Sequence, residues 1–283
     1  EVGNTLFFDM APHEAAYWNG NEGERARLRD LIRSGHIDCF HSFGDLATTR
    51  AHAGKALDEL ERHGCRMAVW IDHAVAPTNF GPDIMRGTGD VPGAPAYHAD
   101  LTLAHGVSYV WRGRVTSVTG QDVPRRLGGI LEPGQAAGSA RTLAKEAAKG
   151  LLGRLGLRKY ERHAPNRVLR RSSLRDGQPV LEFLRANPCW QAVDRGETAD
   201  GFGWVVTDRM LDRLARRGGL MILYTHLGKV KDPRVPFGPA TCAAFRRLAD
   251  RQAAGQLLVT TTRRLLDYAR AREPIGKRRA SGA

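Results

Sequence analysis

The chain has 283 residues, of which 42% are hydrophobic, so it can bury one large core or two small ones. Its net charge of +13 favours anionic partners such as acidic glycans, phospholipid surfaces or nucleic acid. We find no apolar run of about 18 residues and therefore expect no membrane-spanning helix. The four cysteines are far apart and form no CxxC pair, which argues against a thiolate zinc site.

The ends of the chain carry little targeting information. The first residue is Glu1, which indicates a fragment, a processed chain or a cropped domain. No signal peptide is visible, although a missing N-terminus could have carried one, so the compartment stays open between cell envelope and cytoplasm. The glycine patterns of Rossmann and P-loop sites are absent, so we expect no nucleotide cofactor.

In the first half of the chain, short apolar runs alternate with helical patterns. Strands are predicted at 5–9, 37–40, 67–71 and 107–111, and helices around 28–35, 53–64 and 97–100. The stretch 74–95 is rich in Gly and Pro, and it is long for a connection between two elements. It therefore predicts a loop that shapes a site.

The pattern breaks between residues 127 and 178. An alanine-rich helix is predicted at about 140–152, and Gly138 to Arg175 contains eleven Lys and Arg against two Glu. We interpret 127–178 as a basic helical insertion within a single domain of residues 1–270. Residues 271–283 form a basic tail that we expect to be disordered.

The alternating pattern resumes after the insertion. Strands are predicted at 220–225 and 257–261, and helices follow Thr207 and cover 243–249 and 265–268. The secondary structure of two stretches is ambiguous. Residues 179–186 fit a strand or a helical turn, and residues 203–207 fit a strand or the approach to a helix. Strands that alternate with helices and read as continuous apolar runs predict a parallel sheet covered by helices.

Several predicted strands end in side chains that can do chemistry. The strand-end residues are Asp9, His41 with Asp45 four residues later, Asp72 with His73, Arg112 and His226. In (β/α) barrels the active site lies at the carboxyl ends of the strands. These positions therefore predict one pocket at that rim.

Four pieces of the sequence resemble segments of the NodB-type polysaccharide deacetylases. They are TLFFD, GHIDCFHSFGD, GGLMILYTH and QLLVTTTRRLLDY, and their order and spacing match those of the family. The likeness spans Thr5 to Tyr268 apart from the insertion. It implies an α/β fold with a distorted (β/α) barrel of about seven parallel strands. It also implies a metal-dependent hydrolase that removes acetyl groups from an acetylated polysaccharide or amino sugar.

The sequence departs from the family pattern at four places. At one of them WIDHAVAPTNFG replaces the family's R-x-x-Y-like segment, so Asp72 and His73 are expected to be recruited locally. If TLFFD is the family's second strand, the first strand with its Asp-Asp pair is absent from this chain, and it is expected upstream in a longer protein. The alternative is that Asp9 takes the metal-binding role. Asp45 replaces the second metal-binding histidine, and the late motif reads L-x-x-H from Leu223 to His226 rather than L-x-H.

If the chain is such a hydrolase, each candidate residue has an expected role. His41 and Asp45 would bind a divalent ion, expected to be zinc, with Asp9 or His73 as third ligand. Asp72, or a carboxylate upstream, would be the general base, and His226 the general acid. The substrate contacts would come from Trp70, His98, Asp100 and Arg112. A non-catalytic glycan-binding barrel is the alternative, and the basic insertion is a further candidate for contact with an anionic glycan, a membrane surface or nucleic acid.

Overall fold

The computed structural model describes residues 2–124, 136–157, 160, 166–187, 198–228, 232 and 234–272. The strands are β1 (Asn4–Leu6), β2 (Ile37–His41), β3 (Val69–Ile71), β4 (Tyr109–Trp111), β5 (Val115–Thr116), β6 (Leu169–Ser173), β7 (Pro179–Phe183) and β8 (Arg185–Ala186). The helices are α1 (Glu22–Arg33), α2 (Arg50–Arg62), α3 (Ala99–Ala104), α4 (Ala136–Arg154), α5 (Ala199–Val205), α6 (Asp208–Arg217), α7 (Pro239–Ala253) and α8 (Thr262–Ala271).

The main sheet is mixed but rich in parallel pairs. Its strand order is β1-β2-β3-β4-β7-β6, and every neighbouring pair is parallel except β6 and β7. A second sheet pairs β5 with β8 in parallel. The expected α/β class is therefore confirmed, with a sheet that is rich in parallel pairs rather than wholly parallel.

The sheet does not close into a barrel within the part of the chain that the structure describes. The stretches 220–225 and 257–261, both expected as strands, contain no regular strand. Among the described residues, the backbone of 220–226 forms bridges at its two ends, and the Ile222 carbonyl accepts a hydrogen bond of 2.8 Å from the Ala186 amide. A mostly apolar cavity of about 320 Å³ lies between β1 and these two stretches.

The two faces of the sheet bury two separate clusters, because alternate residues of a strand point to opposite faces. Phe40, Trp70 and Val110 belong to one cluster, beneath α1 and α2. Cys39, Val69, Ile71, Tyr109, Trp111 and Phe183 belong to the other, together with Ile222 and Leu266. We call these the outer face and the inner face. Burial on both faces explains why the strands read as continuous apolar runs.

The other sequence-based assignments met different outcomes. The stretch 179–186 is strand, as β7 and β8, whereas 203–205 lies in α5, so the strand option for 203–207 is wrong. The helix after Thr207 is confirmed as α6, and the Thr207 hydroxyl accepts a hydrogen bond from the Met210 amide.

The stretch 127–178 contributes α4 but also β6, which belongs to the main sheet. The tail from residue 273 lies outside the described residues. Among the described helices, none has the length and hydropathy needed to span a bilayer.

The loop after β2 packs closely on the loop after β1, and this contact requires a glycine. Gly44 has φ +106°, and a Cβ there would lie 2.0 Å from the Asp9 carbonyl oxygen. We expect Gly44→Ala to lower the free energy of unfolding by about 2–4 kcal/mol, measured by denaturant titration. Gly54→Ala in α2 is the control, since a Cβ there meets nothing within 4 Å. Equal stability of the two variants would contradict this account.

Candidate functional site

The site begins with two histidines that extend the inner face beyond the strand ends. His41 follows Cys39 by two residues on β2, and His73 follows Ile71 by two residues after β3. Because the side-chain period of a strand is two, both imidazoles continue the inner face at one edge of the sheet. Their ring centroids are 4.7 Å apart in an edge-to-face arrangement.

Phe7 forms a wall of the site against both imidazoles. Its ring centroid lies 4.4 Å from that of His41 and 4.9 Å from that of His73. It follows β1, the neighbour of β2, so three adjacent strand ends supply these three rings. An aromatic ring here shields the imidazoles from water and restricts their orientation.

A tyrosine hydroxyl joins His41 to the late histidine. The Tyr224 hydroxyl oxygen lies 3.2 Å from Nε2 of His41 and 2.6 Å from Nε2 of His226. A hydroxyl has one proton, so it donates to one imidazole and accepts from the other. The resulting His41–Tyr224–His226 chain fixes the orientation of a buried histidine and a less buried one.

A carboxylate orients the other histidine. The Asp45 carboxylate oxygen accepts a hydrogen bond from Nδ1 of His73 at 2.9 Å. This bond fixes the tautomer of a neutral His73, so its Nε2 carries the lone pair. That nitrogen can accept a proton from water or bind a cation. The pair is accessible, since the side chains of His73 and Asp45 are 25% and 49% exposed.

An arginine adds positive charge beside this cluster. The Arg185 guanidinium lies 3.5 Å from the centroid of the Trp111 ring and 4.0 Å from that of the Tyr224 ring. Stacking between two aromatic faces holds the cation in place. The site therefore combines a fixed positive charge with three imidazoles.

His41 is a neutral imidazole at physiological pH. Burial, reinforced by electrostatic repulsion from the neighbouring His73, Arg185 and His226 side chains, lowers the pKa of His41 to about 2. Its Nδ1 is buried and has no hydrogen-bond partner among the described residues. A buried, neutral imidazole with one uncommitted nitrogen is a competent metal ligand or proton acceptor.

The expected base, Asp72, and the expected stacking residue, Trp70, lie on the outer face instead. Both are fully buried, and the Asp72 carboxylate accepts the Trp70 indole N–H and the Phe80 amide, each at 2.8 Å. Burial raises the pKa of Asp72 to about 7. Trp70 stacks on Phe80 with centroids 4.8 Å apart. In this conformation neither side chain can contact a substrate.

The other expected substrate contacts also have structural partners. His98 is fully buried between the Thr102 hydroxyl and the Thr78 carbonyl oxygen, and burial lowers its pKa to about 4. Asp100 forms a bidentate pair with Arg50, outside the histidine cluster. Arg112 is buried on the outer face, where it donates to Ser172 and Glu182. None of the three is brought to the histidine cluster.

The donor types at this rim suit zinc, but the structure does not show a formed ligand set. Two imidazoles and a carboxylate are the usual ligands of a catalytic zinc site. Asp9 has a buried carboxylate oxygen without a hydrogen-bond partner among the described residues. Across those same residues, no three His, Cys, Asp or Glu side chains are grouped to hold a metal ion. Instead, Asp45 bonds to His73, and His41 bonds to Tyr224.

The sequence analysis missed Phe7, Tyr224 and Arg185. The two-residue side-chain period of a strand could have identified them, because each lies two residues from an inner-face position at the end of a strand or next to a bridge. Arg185 follows Phe183 by two residues, and Tyr224 stands midway between Ile222 and His226. Comparison of the chain with family models, with curated proteins and with solved structures found no match.

Proposed function

We propose that this chain is a hydrolase that removes acetyl groups from an acetylated polysaccharide or amino sugar. One observation carries the proposal: His41, His73 and His226 meet at one edge of the sheet, each with an oriented or uncommitted nitrogen. Proton transfer to and from a reacting group needs such groups within reach of one another. The resemblance of the strand-end motifs to the NodB-type deacetylases supplies the substrate class.

The Asp45–His73 pair is assigned to the attacking water. Asp45 holds the Nδ1 proton of His73, so Nε2 can accept a proton from water. The partial exposure of both side chains lets water reach this nitrogen. Asp72 loses the role of general base in this proposal because it is fully buried on the outer face.

His226 is assigned to the leaving group. Its Nε2 is hydrogen bonded to Tyr224, which fixes the ring and links it to His41. A protonated His226 would donate to the departing amine or alcohol and regain its proton from solvent, to which its side chain is partly exposed. Arg185, held against Tyr224 and Trp111, would attract an anionic substrate or stabilise the oxyanion formed during attack.

The proposal includes a divalent ion, with zinc as the candidate. His41 would hold it together with the carboxylates of Asp45 and Asp9, because the single lone pair of His73 serves the attacking water. When bound, such an ion lowers the pKa of its water and polarises the acyl carbonyl. The uncommitted Nδ1 of His41 and the unpartnered Asp9 oxygen support this part of the proposal.

We also propose that the open sheet is part of a distorted, NodB-like barrel. The stretches 220–226 and 257–261 face β1 across the apolar cavity, as two late strands of a barrel would. The inner-face cluster, which includes Ile222 and Leu266, would then be the barrel interior.

Release of acetate from N- and O-acetylated oligosaccharides tests the proposal. We expect His41→Ala to abolish release, whereas His36→Ala should leave it unchanged. His36 precedes the same strand at its other end, and its exposed side chain bonds to Ser34. Wild-type activity in the folded His41→Ala variant would refute the proposal.

A glycan-binding protein without catalysis is the second candidate. The absence of a grouped ligand set among the described residues favours it. Binding of acetylated oligosaccharides without acetate release, even with added zinc, would support this second function.

A further inference from the structure

Helix α4 carries its polar and apolar residues in reversed positions. Ser139, Thr142 and Glu146 are buried, although they are polar. Leu151 and Leu155 are 60% and 68% exposed, although they are apolar. A surface helix normally buries its apolar side and exposes its polar side. The outward face of α4 is therefore unusual for a helix that meets only water.

The buried polar face has its partners in the protein. Glu146 lies within hydrogen-bond distance of the Thr116 hydroxyl and the Ser117 amide, 3.5 Å in each case. Lys149 donates to Glu146 at 3.0 Å and to the Val115 carbonyl at 3.5 Å. These contacts attach α4 to β5 and fix which face points outward.

The outward face is a continuous apolar stripe. Its members recur at spacings of three and four residues, which places them on one side of a helix. The exposed members are Ala144, Ala147, Ala148 and Leu151 in the helix and Leu155 in the turn that continues it, and the exposed Leu157 comes two residues later.

Basic side chains border this stripe on both sides. At 100° per residue, Arg141 and Lys145 fall along one edge and Arg154 along the other. All three are exposed, and within the described ranges none has a carboxylate partner. The sequence from Gly138 to Arg175 holds eleven Lys and Arg against two Glu, so the surrounding chain is also positive.

We propose that α4 docks on an anionic lipid membrane, with its leucines in the boundary between headgroups and acyl chains. An apolar stripe bordered by Lys and Arg is the pattern of a helix that lies in a membrane interface. The basic border selects anionic lipid over neutral lipid, because each Lys or Arg is attracted to the negative surface. This inference goes beyond the proposed hydrolase and involves none of its residues.

Vesicle flotation tests the inference. The 283-residue chain would be mixed with vesicles of phosphatidylcholine alone or with about 30% phosphatidylglycerol, at low and high salt. We expect the wild-type chain to bind the anionic vesicles. The double variant Leu151→Ser/Leu155→Ser should bind them about tenfold or more less tightly, and so should the separate double variant Arg141→Gln/Lys145→Gln. Leu31→Ser on α1 is the control, since that leucine is 42% exposed on another helix.

Three results would overturn the inference. One is no binding of the wild-type chain to anionic vesicles. Another is unchanged binding in the leucine variant, which would leave charge alone as the cause. The third is a wild-type chain that self-associates through these leucines and ignores vesicles, which light scattering would detect. Both leucines are exposed, so circular dichroism should show that their variant folds.

Discussion

His226→Ala is expected to lower kcat for removal of N-linked acetyl groups by about 10²- to 10⁴-fold. The amine is a poor leaving group and needs the proton that His226 would donate, and Tyr224 holds the imidazole in place. An aryl acetate has a leaving group that departs without protonation. We therefore expect the same variant to lose much less activity on an aryl acetate.

The comparison of the two substrates separates a general acid from a structural histidine. An equal loss on both substrates would contradict the assignment, because it would indicate a damaged site. Tyr224→Phe is the companion variant, since it removes the hydroxyl that links His41 to His226 but keeps the ring under Arg185. We expect it to lose less activity than His226→Ala.

Glu182→Ala is expected to lower the free energy of unfolding by about 3–5 kcal/mol. Glu182 is buried on β7, where it accepts a hydrogen bond from Arg112 and lies 3.9 Å from Arg114. Both guanidinium groups are about as buried as Glu182, with side-chain exposures of 6% and 5%. Without the carboxylate, Arg112 would keep a buried charge whose remaining hydrogen-bond acceptors among the described residues, the Ser172 hydroxyl and the Ser173 carbonyl, are neutral. Denaturant unfolding measures the loss.

Two further variants control the Glu182 result. Glu61→Ala removes the partner of Arg66 in an ion pair whose side chains are about half exposed, so it should cost less than about 1 kcal/mol. The double variant Glu182→Met/Arg112→Met should be more stable than Glu182→Ala, because it leaves no unpaired charge at Arg112. A cost below about 1 kcal/mol for Glu182→Ala would show that the pair is not as buried as described.

Much of the fold was accessible from the sequence. The apolar runs at β3 and β4 have no polar interruption, β2 has only Asp38 before its end, and Thr207 and Gly218 mark the two ends of α6 by local chemistry. The stretches 220–225 and 257–261 also contain apolar runs, yet they are mostly only part-buried, with Leu258 78% exposed, and form no regular strand. An apolar composition favours burial, but a regular strand also needs backbone hydrogen-bond partners, which lie far away in sequence.

The sequence predicted the site only in part, because it does not show which face of the sheet a strand-end residue occupies. The sequence shows which residues follow a strand, but a shift of one residue reverses the face. Asp72 and His73 are adjacent, yet Asp72 is buried on the outer face beside Trp70, and His73 reaches the inner-face cluster. Arg112 follows Val110 and shares the outer face. Because side chains of a strand alternate between faces, every second residue after Cys39, Ile71 and Phe183 shares the inner face. Applying this rule would have separated His73 on the inner face from Asp72 and Arg112 on the outer face.

The most direct test of the account is the metal content of the purified chain beside His41→Ala, measured by elemental mass spectrometry. We expect about one equivalent of zinc or a similar divalent ion in the wild-type chain and none in the variant. His36→Ala should keep the wild-type content. No metal in the wild-type chain after incubation with excess zinc, or equal metal in the His41→Ala variant, would contradict a metal-dependent hydrolase at this site.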